Sequence, residues 1–257
     1  MGRSKIKAAA VQVKPTDSAK ETISQGVRLA ERAAKREADI ICLPEHWLPE
    51  KIIPTPVNPL PGLQKIAEEY SVGLVAGAFY ESVRGVVRLS SPVIAPDGEV
   101  LGRQFKVHLF RTERKYARPG NSYNVFRINR FTIGILVCYD VDFPEPSRIF
   151  ALKGAEMIMC PSRIVRWGIT PWREYLTVRC LENRIPIVAP NVYAPPYFNG
   201  HSTTLSLVED SRTKISYPKM KSWDAKGEGI VVQEFDLDFH NRLRRDRFAD
   251  RRPETYN

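Results

Sequence analysis

No apolar run in this chain of 257 residues approaches eighteen, so the sequence predicts no membrane-spanning helix. No charged-then-apolar leader opens it either, which argues against secretion and leaves a cytoplasmic protein that engages no membrane as the expectation. Cysteine is scarce. The four present, Cys42, Cys138, Cys160 and Cys180, lack metal-ligand spacing and lie in or beside apolar segments, as reduced thiols do. His46, His108 and His201 are scattered without an i, i+4 pair, so neither a metal nor a cofactor is expected. Low-complexity tracts, repeats and polar linkers are missing as well. Residues 1–257 therefore read as one domain, long enough for a full α/β core.

What the chain has in excess is positive charge, a formal +10. Its densest stretch is the tail Arg242-Leu243-Arg244-Arg245-Asp246-Arg247-Phe248-Ala249-Asp250-Arg251-Arg252. Aspartates interrupt that run, and no nucleic-acid motif or aromatic platform accompanies it, so no specific nucleic-acid site is expected. A solvated or subunit-facing tail is the better reading.

Chemistry enters at Cys138. The run Phe131-Thr132-Ile133-Gly134-Ile135-Leu136-Val137 is apolar and β-branched, an interior strand, and Cys138 stands where it stops. Pro144 and Glu145 suit the first turn of a following helix. Such a corner presents its turn residue to the crevice at the carboxyl end of a sheet, where α/β folds bind ligands. Cys138 is either a buried core thiol or a nucleophile, and a nucleophile needs a proton acceptor and a cation for the developing oxyanion. A carboxylate, Glu45, follows Leu43-Pro44 at the end of a second apolar run, and Lys106 opens Lys106-Val107-His108-Leu109-Phe110 at the end of a third segment. A lysine so placed would favour the Cys138 thiolate electrostatically.

A Glu after Leu-Pro, a Lys in Lys-x-His-Leu-Phe and a Cys in Cys-Tyr-Asp-x-x-Phe-Pro-Glu, with Lys106 and Cys138 separated by 32 residues, make this chain resemble the nitrilase, or carbon–nitrogen hydrolase, superfamily. Lys7-Ala8-Ala9-Ala10-Val11-Gln12, Arg148-x5-Gly154-Ala155, Pro161-Ser162, Arg179-x2-Glu182-Asn183, Asn191 and Gly200-His201-Ser202 fall in family order too, so the resemblance spans nearly the whole chain. It implies Cys138 as nucleophile, Glu45 as general base, Lys106 as oxyanion-stabilising cation, and Glu113 as a second glutamate that orients lysine and substrate. The backbone N–H of Tyr139 is the natural second oxyanion donor. Asp142, Ser162 and Arg163 complete the expected substrate-binding set.

The implied reaction is hydrolysis of a small linear amide or N-carbamoyl compound through a cysteine acyl-enzyme. Tyr139-Asp140 after the nucleophile resembles the amidase and carbamoylase branches, whereas nitrile hydrolases typically carry Trp-Glu there. Glutaminase or acyl transfer and a catalytically idle scaffold are the alternatives; the first two usually bring a fused synthetase or membrane helices, and all three catalytic positions are intact against the third. Family members acting on N-carbamoyl amino acids or ω-amides tend to carry arginine three or four residues beyond the nucleophile, where this chain has Val141 and Asp142. Neutral or cationic amides are therefore expected to react faster than carboxylate-bearing ones. Two alternatives stay open: Asp142 caps the helix beginning near Pro144, or Arg148, Arg163, Arg166 or Arg173 supplies the missing cation.

The periodicity predicts strands at 5–13, 39–43, 72–79, 86–95, 99–106, 131–137, 156–160, 186–190, 202–208, 213–217 and 229–236. Helices are predicted from an Asp17 cap to about Lys35, with Ile23, Val27, Ala30 and Ala34 as core stripe, and at 61–70, 144–153 and 170–183. Strand pairs without intervening helices do not fit a singly wound sheet; two mixed sheets with helices outside do, the four-layer α-β-β-α sandwich that the resemblance also implies. Loops 46–61, 108–122, 163–172 and 192–201 would shape the pocket, with the proline-rich 53–61 as its wall or lid. The resemblance further implies at least a homodimer, pairing through the helices after Cys138 and at 170–183, with the tail from about 237 to 257 crossing to the partner.

Overall fold

In the computed structural model, which describes residues 5–48 and 60–255, the first strand already contains the layering. In β1 (Lys5–Gln12), Ala8 and Ala10 join one apolar cluster while Ala9 and Val11 join another. A strand alternates faces residue by residue, so a strand apolar on both faces must be covered on both. The elements that follow are α1 (Ala19–Ala34), β2 (Ile40–Cys42), α2 (Leu60–Tyr70), β3 (Gly73–Val75), β4 (Phe79–Val83), β5 (Val86–Ile94) and β6 (Val100–Phe105). Then come β7 (Phe126–Ile128), β8 (Phe131–Ile135), α3 (Pro144–Leu152), β9 (Met157–Met159), α4 (Ile169–Asn183) and β10 (Ile187–Ala189). A two-residue pair, β11 (Tyr193–Ala194) and β12 (Phe198–Asn199), precedes β13 (Thr203–Glu209), β14 (Ser216–Ser222), β15 (Gly229–Asp236) and α5 (Leu237–Ala249).

One sheet runs β15-β1-β2-β3-β5-β4 with β6 beside β5, and the other runs β14-β13-β10-β9-β8-β7. Each has a parallel heart, β1-β2-β3 and β8-β9-β10, flanked by antiparallel strands. Between the sheets lie Ala8, Cys42, Val75, Ile133, Met157 and Val188 in one cluster. Outside the first sheet, Ala9, Ile41 and Leu74 pack with Leu29 and Leu63 of α1 and α2. Outside the second, Ile158 and Ile187 pack with Phe150, Trp172 and Leu176 of α3 and α4. These are four layers, α-β-β-α, and no described helix is long and apolar enough to cross a membrane.

Several local expectations need correction. Ser18, not Asp17, caps α1, its Oγ accepting from the Glu21 N–H. Ile23 and Val27 are only partly buried; the buried face is Thr22, Gly26, Leu29, Ala30, Ala33 and Ala34, because the Trp47 ring lies so close that a Cβ on Gly26 would sit 2.5 Å from it. Strand 72–79 breaks in two at Gly77, whose φ is +80° and whose site leaves no room for a Cβ against the Pro44 carbonyl, 2.2 Å away. The strand expected at 213–217 is displaced to β14, and β7 was not expected at all. The tail's first part is α5, which packs on this chain: Leu237, His240, Leu243 and Arg244 are buried, and Arg244 Nη1 donates to the Ala155 carbonyl at 2.7 Å. Most of the expected proline-rich wall, residues 53–59, lies outside the described residues.

Candidate active site

Three strand ends converge on one point. Glu45 leaves β2 through Leu43-Pro44, and its N–H donates to the Ser162 carbonyl at 3.3 Å, tying the first sheet to the second. Lys106 directly follows β6, its N–H held by the Leu89 carbonyl at 2.9 Å and its carbonyl by the Gly120 N–H at 2.8 Å. Cys138 follows β8 with its N–H on the Pro161 carbonyl at 2.9 Å, and it takes a φ of +49°. A left-handed conformation costs a non-glycine residue about 1–3 kcal/mol and persists only where the surroundings impose it. Here it turns the side chain out of the strand into a cavity of about 960 Å³ shared with Glu45, Lys106 and Glu113.

Lys106 is 1% exposed, and its Nζ donates to Glu45 Oε1 at 2.7 Å and to Glu113 Oε1 at 2.9 Å. A buried ammonium is tolerable only when paired. Burial alone would pull the lysine down, but Glu45, Cys138 and Glu113 outweigh it and hold it above its usual range as a permanent cation. Glu113 sits in a short 3-10 helix, Arg111–Lys115, and its Oε2 accepts the Phe110 N–H at 2.7 Å. Burial pushes its carboxyl up, and the hydrogen bond from His46 together with the charge of Lys106 brings it below its ordinary value.

The Cys138 thiol is pulled in two directions. Burial first, then the charge of the Glu45 carboxylate, push it well above the usual cysteine range; Lys106 and the Arg163 backbone N–H pull it back only in part. Lys106 favours the thiolate as expected, but its charge is shared with two carboxylates and burial outweighs it.

Of the remaining expected residues, Tyr139, Asp142 and Arg163 line the cavity. Ser162 does not: it is fully buried, its Oγ donates to the Cys160 carbonyl at 2.9 Å, and it serves the site through the carbonyl that holds Glu45. Asp142 does not cap α3, whose cap residue is Phe143 and receives no side-chain bond. Cys42, Cys160 and Cys180 are buried in the core. His108 is fixed by Asp140, which accepts its N–H and Nδ1 at 2.8 Å and the Val137 N–H at 3.1 Å, so one buried carboxylate joins the lysine loop to the cysteine turn.

Sequence reasoning missed His46. It has a φ of +47°, and its Nε2 lies 3.3 Å from Glu113 Oε1, the oxygen that also accepts from Lys106. The aromatic wall was missed as well: Tyr80, Phe110, Tyr116, Trp172, Tyr175 and Phe198. Glu45, His46 and Glu113 are close enough together to suggest a cation site, but the cation between the two carboxylates is the Lys106 ammonium.

Glu45, Lys106, Glu113 and Cys138 thus line one cavity of an α-β-β-α sandwich. The chain matches the carbon-nitrogen hydrolase family model over residues 7–244 and belongs to that family, an enzyme family with amidase members. It is 28% identical over 290 aligned positions to an N-carbamoylputrescine amidase of Oryza sativa, covering 98% of this chain and 94% of that one. Among solved structures, a carbon-nitrogen hydrolase from Helicobacter pylori superposes with a TM-score of 0.82 at 24% identity, over 99% of this chain and 98% of that one. An amidase from Nesterenkonia, solved with the acetamide moiety of fluoroacetamide covalently added at its active-site cysteine, superposes at 0.78 with 22% identity over 99% and 97% of the two chains.

Proposed function

We propose that this protein cleaves a small linear amide or N-carbamoyl compound to the acid and ammonia or an amine, with Cys138, Glu45 and Lys106 as its catalytic residues. The observation that carries this reading is the single cavity lined by Cys138, Glu45 and Lys106, in which the Glu45 carboxylate accepts from the buried Lys106 ammonium at 2.7 Å. Glu45 takes the thiol proton as sulfur attacks the carbonyl carbon, and the C=O pair becomes an oxyanion facing the Lys106 ammonium and the Tyr139 N–H. The proton on Glu45 then passes to the amide nitrogen, the C–N bond breaks, and the amine leaves a thioester. Water gives a proton to Glu45 as it attacks that thioester; the C–S bond breaks, and the proton returns to sulfur. The amidase neighbour whose active-site cysteine carries the acetamide moiety of fluoroacetamide supports Cys138 as a nucleophile, and the similarity to an N-carbamoylputrescine amidase supports the substrate class.

Intact-protein mass spectrometry during turnover of simple aliphatic amides and carbamoyl amines tests it. Wild type is expected to show a substrate-derived acyl adduct that Cys138→Ala lacks, and the folded Ala variant is expected to be inactive. Glu45→Gln and Lys106→Ala are expected to lose comparable activity, with the double variant little worse than either, since groups acting as a unit are not additive. Full hydrolysis by Cys138→Ala would refute the mechanism.

A further inference from the structure

We propose that Asp142 selects substrates whose far end is cationic, so that the preferred substrate is a small linear amide bearing an ammonium or guanidinium group. This rests on the reading of Cys138 as the amide-cleaving nucleophile and adds what that reading leaves open.

Asp142 lines the same cavity as Cys138, four residues further along the chain. It is not spent on the helix behind it, since α3 receives no side-chain cap. Among the described residues its carboxylate has neither a hydrogen bond nor an ion pair; its backbone carbonyl alone is engaged, by Arg179 Nη2 at 2.8 Å. The other Arg179 donors go to the Val141 carbonyl at 3.0 Å and to Glu182 at 3.2 Å, so that guanidinium reaches Asp142 only as a field from a distance. Burial accordingly keeps the Asp142 carboxyl above its ordinary range despite the pull of Arg179 and Lys106. A partly buried carboxylate without a partner is costly, and an incoming cation removes that cost.

The surroundings favour the same ligand. Tyr139, Trp172 and Tyr175 share the cavity, and aromatic walls accept an alkyl chain along its length and an ammonium against a ring face. The cavity's cations are already committed. Lys106 is held between two carboxylates, and the Arg163 guanidinium lies 4.5 Å from the Phe198 ring centroid. A carboxylate tail would meet Asp142 with like charge, which is a rejection device as much as the cation contact is an attraction.

The test uses a matched series of one chain length: 5-aminopentanamide, pentanamide and the monoamide of glutaric acid. In wild type, kcat/KM is expected to rank amine above neutral by about tenfold and neutral above acid. Asp142→Asn is expected to bring the amine-to-neutral ratio near one, and Asp142→Arg to place the acid above the amine; ratios cancel any general loss of activity. A wild-type preference for the acid, or an amine preference surviving in Asp142→Asn, would overturn the assignment. Calorimetric binding of 5-aminopentanamide to Cys138→Ala, with and without Asp142→Asn, gives an arm independent of turnover. If wild type hydrolyses none of the three, the proposed reaction fails, and charge selection still stands or falls on whether Asp142→Asn weakens binding by about tenfold.

Discussion

At the residue scale, the site's behaviour is decided by which charges are already answered. Lys106 is compensated by two carboxylates, and in the proposed reaction it would meet a substrate oxyanion without first stripping the proton from Cys138. The thiol stays protonated because burial and the facing Glu45 carboxylate both oppose a second negative charge. Reactivity toward N-ethylmaleimide without substrate, followed on the Cys138 peptide, is therefore expected to keep rising beyond pH 9, since only the thiolate attacks. A plateau between pH 6 and 8 would mean a preformed thiolate and would contradict the base-assisted scheme. Glu45, Lys106 and Cys138 were legible through their motifs and their order along the chain, which carry the family resemblance; of the three, only Glu45 and Cys138 follow apolar runs. His46 was not, because its role depends on a left-handed turn and on Glu113, 67 residues away. Asp142 was half legible: its charge could be read, but whether it faces α3 or the cavity is fixed only by packing.

Among the elements, strands of the parallel hearts were easiest to read, since burial on both faces leaves unbroken apolar runs such as Phe131–Val137. What failed to read was set from far away: the break at Gly77 is imposed by Pro44 and Trp47, and three-residue β7 is too short to carry a period. Helix α5, the arginine-rich start of the tail, is fastened to its own domain by buried His240. The Leu207 N–H and Ser206 hydroxyl meet Nε2 at 3.2 Å, which makes Nε2 the acceptor and leaves Nδ1–H to donate to the Asp236 carbonyl at 2.8 Å. This arrangement needs the neutral ring, and burial lowers the His240 pKa below 6.5, against the opposing pull of Asp236. The unfolded chain thus binds a proton near 6.5 that the folded chain refuses. Stability is fully present above that pH and is lost as pH falls through 6.5 toward the folded value. Denaturant titrations of wild type and His240→Gln are expected to differ by about 1–3 kcal/mol at pH 8 and to converge toward pH 5. Parallel curves across that range would show that His240 does not fasten the helix as a neutral acceptor.

For the whole molecule, the outer helices leave apolar side chains without cover among the described residues. Helix α4 buries Trp172, Leu176 and Cys180 against the second sheet, yet it also exposes Tyr175 and Val178, and α3 beside it exposes Leu152. An outer-layer helix normally turns a polar face to water, so apolar residues on two faces call for a second covering. We propose that two copies pair here about a two-fold axis, the commonest closed arrangement, with α3 and α4 of each facing the other. The pairing also bears on the site, because Tyr175 lines the catalytic cavity from the same helix. Holding α4 in place would hold the aromatic wall that receives the substrate tail. Sedimentation equilibrium at micromolar concentration is expected to give a dimer or higher oligomer. Val178→Asp, which places charge in the centre of the apolar face, is expected to shift that equilibrium to monomer and to raise KM more than it lowers kcat. A wild-type protein that sediments only as monomer with full activity would leave the exposed face of α4 unexplained and the pairing refuted.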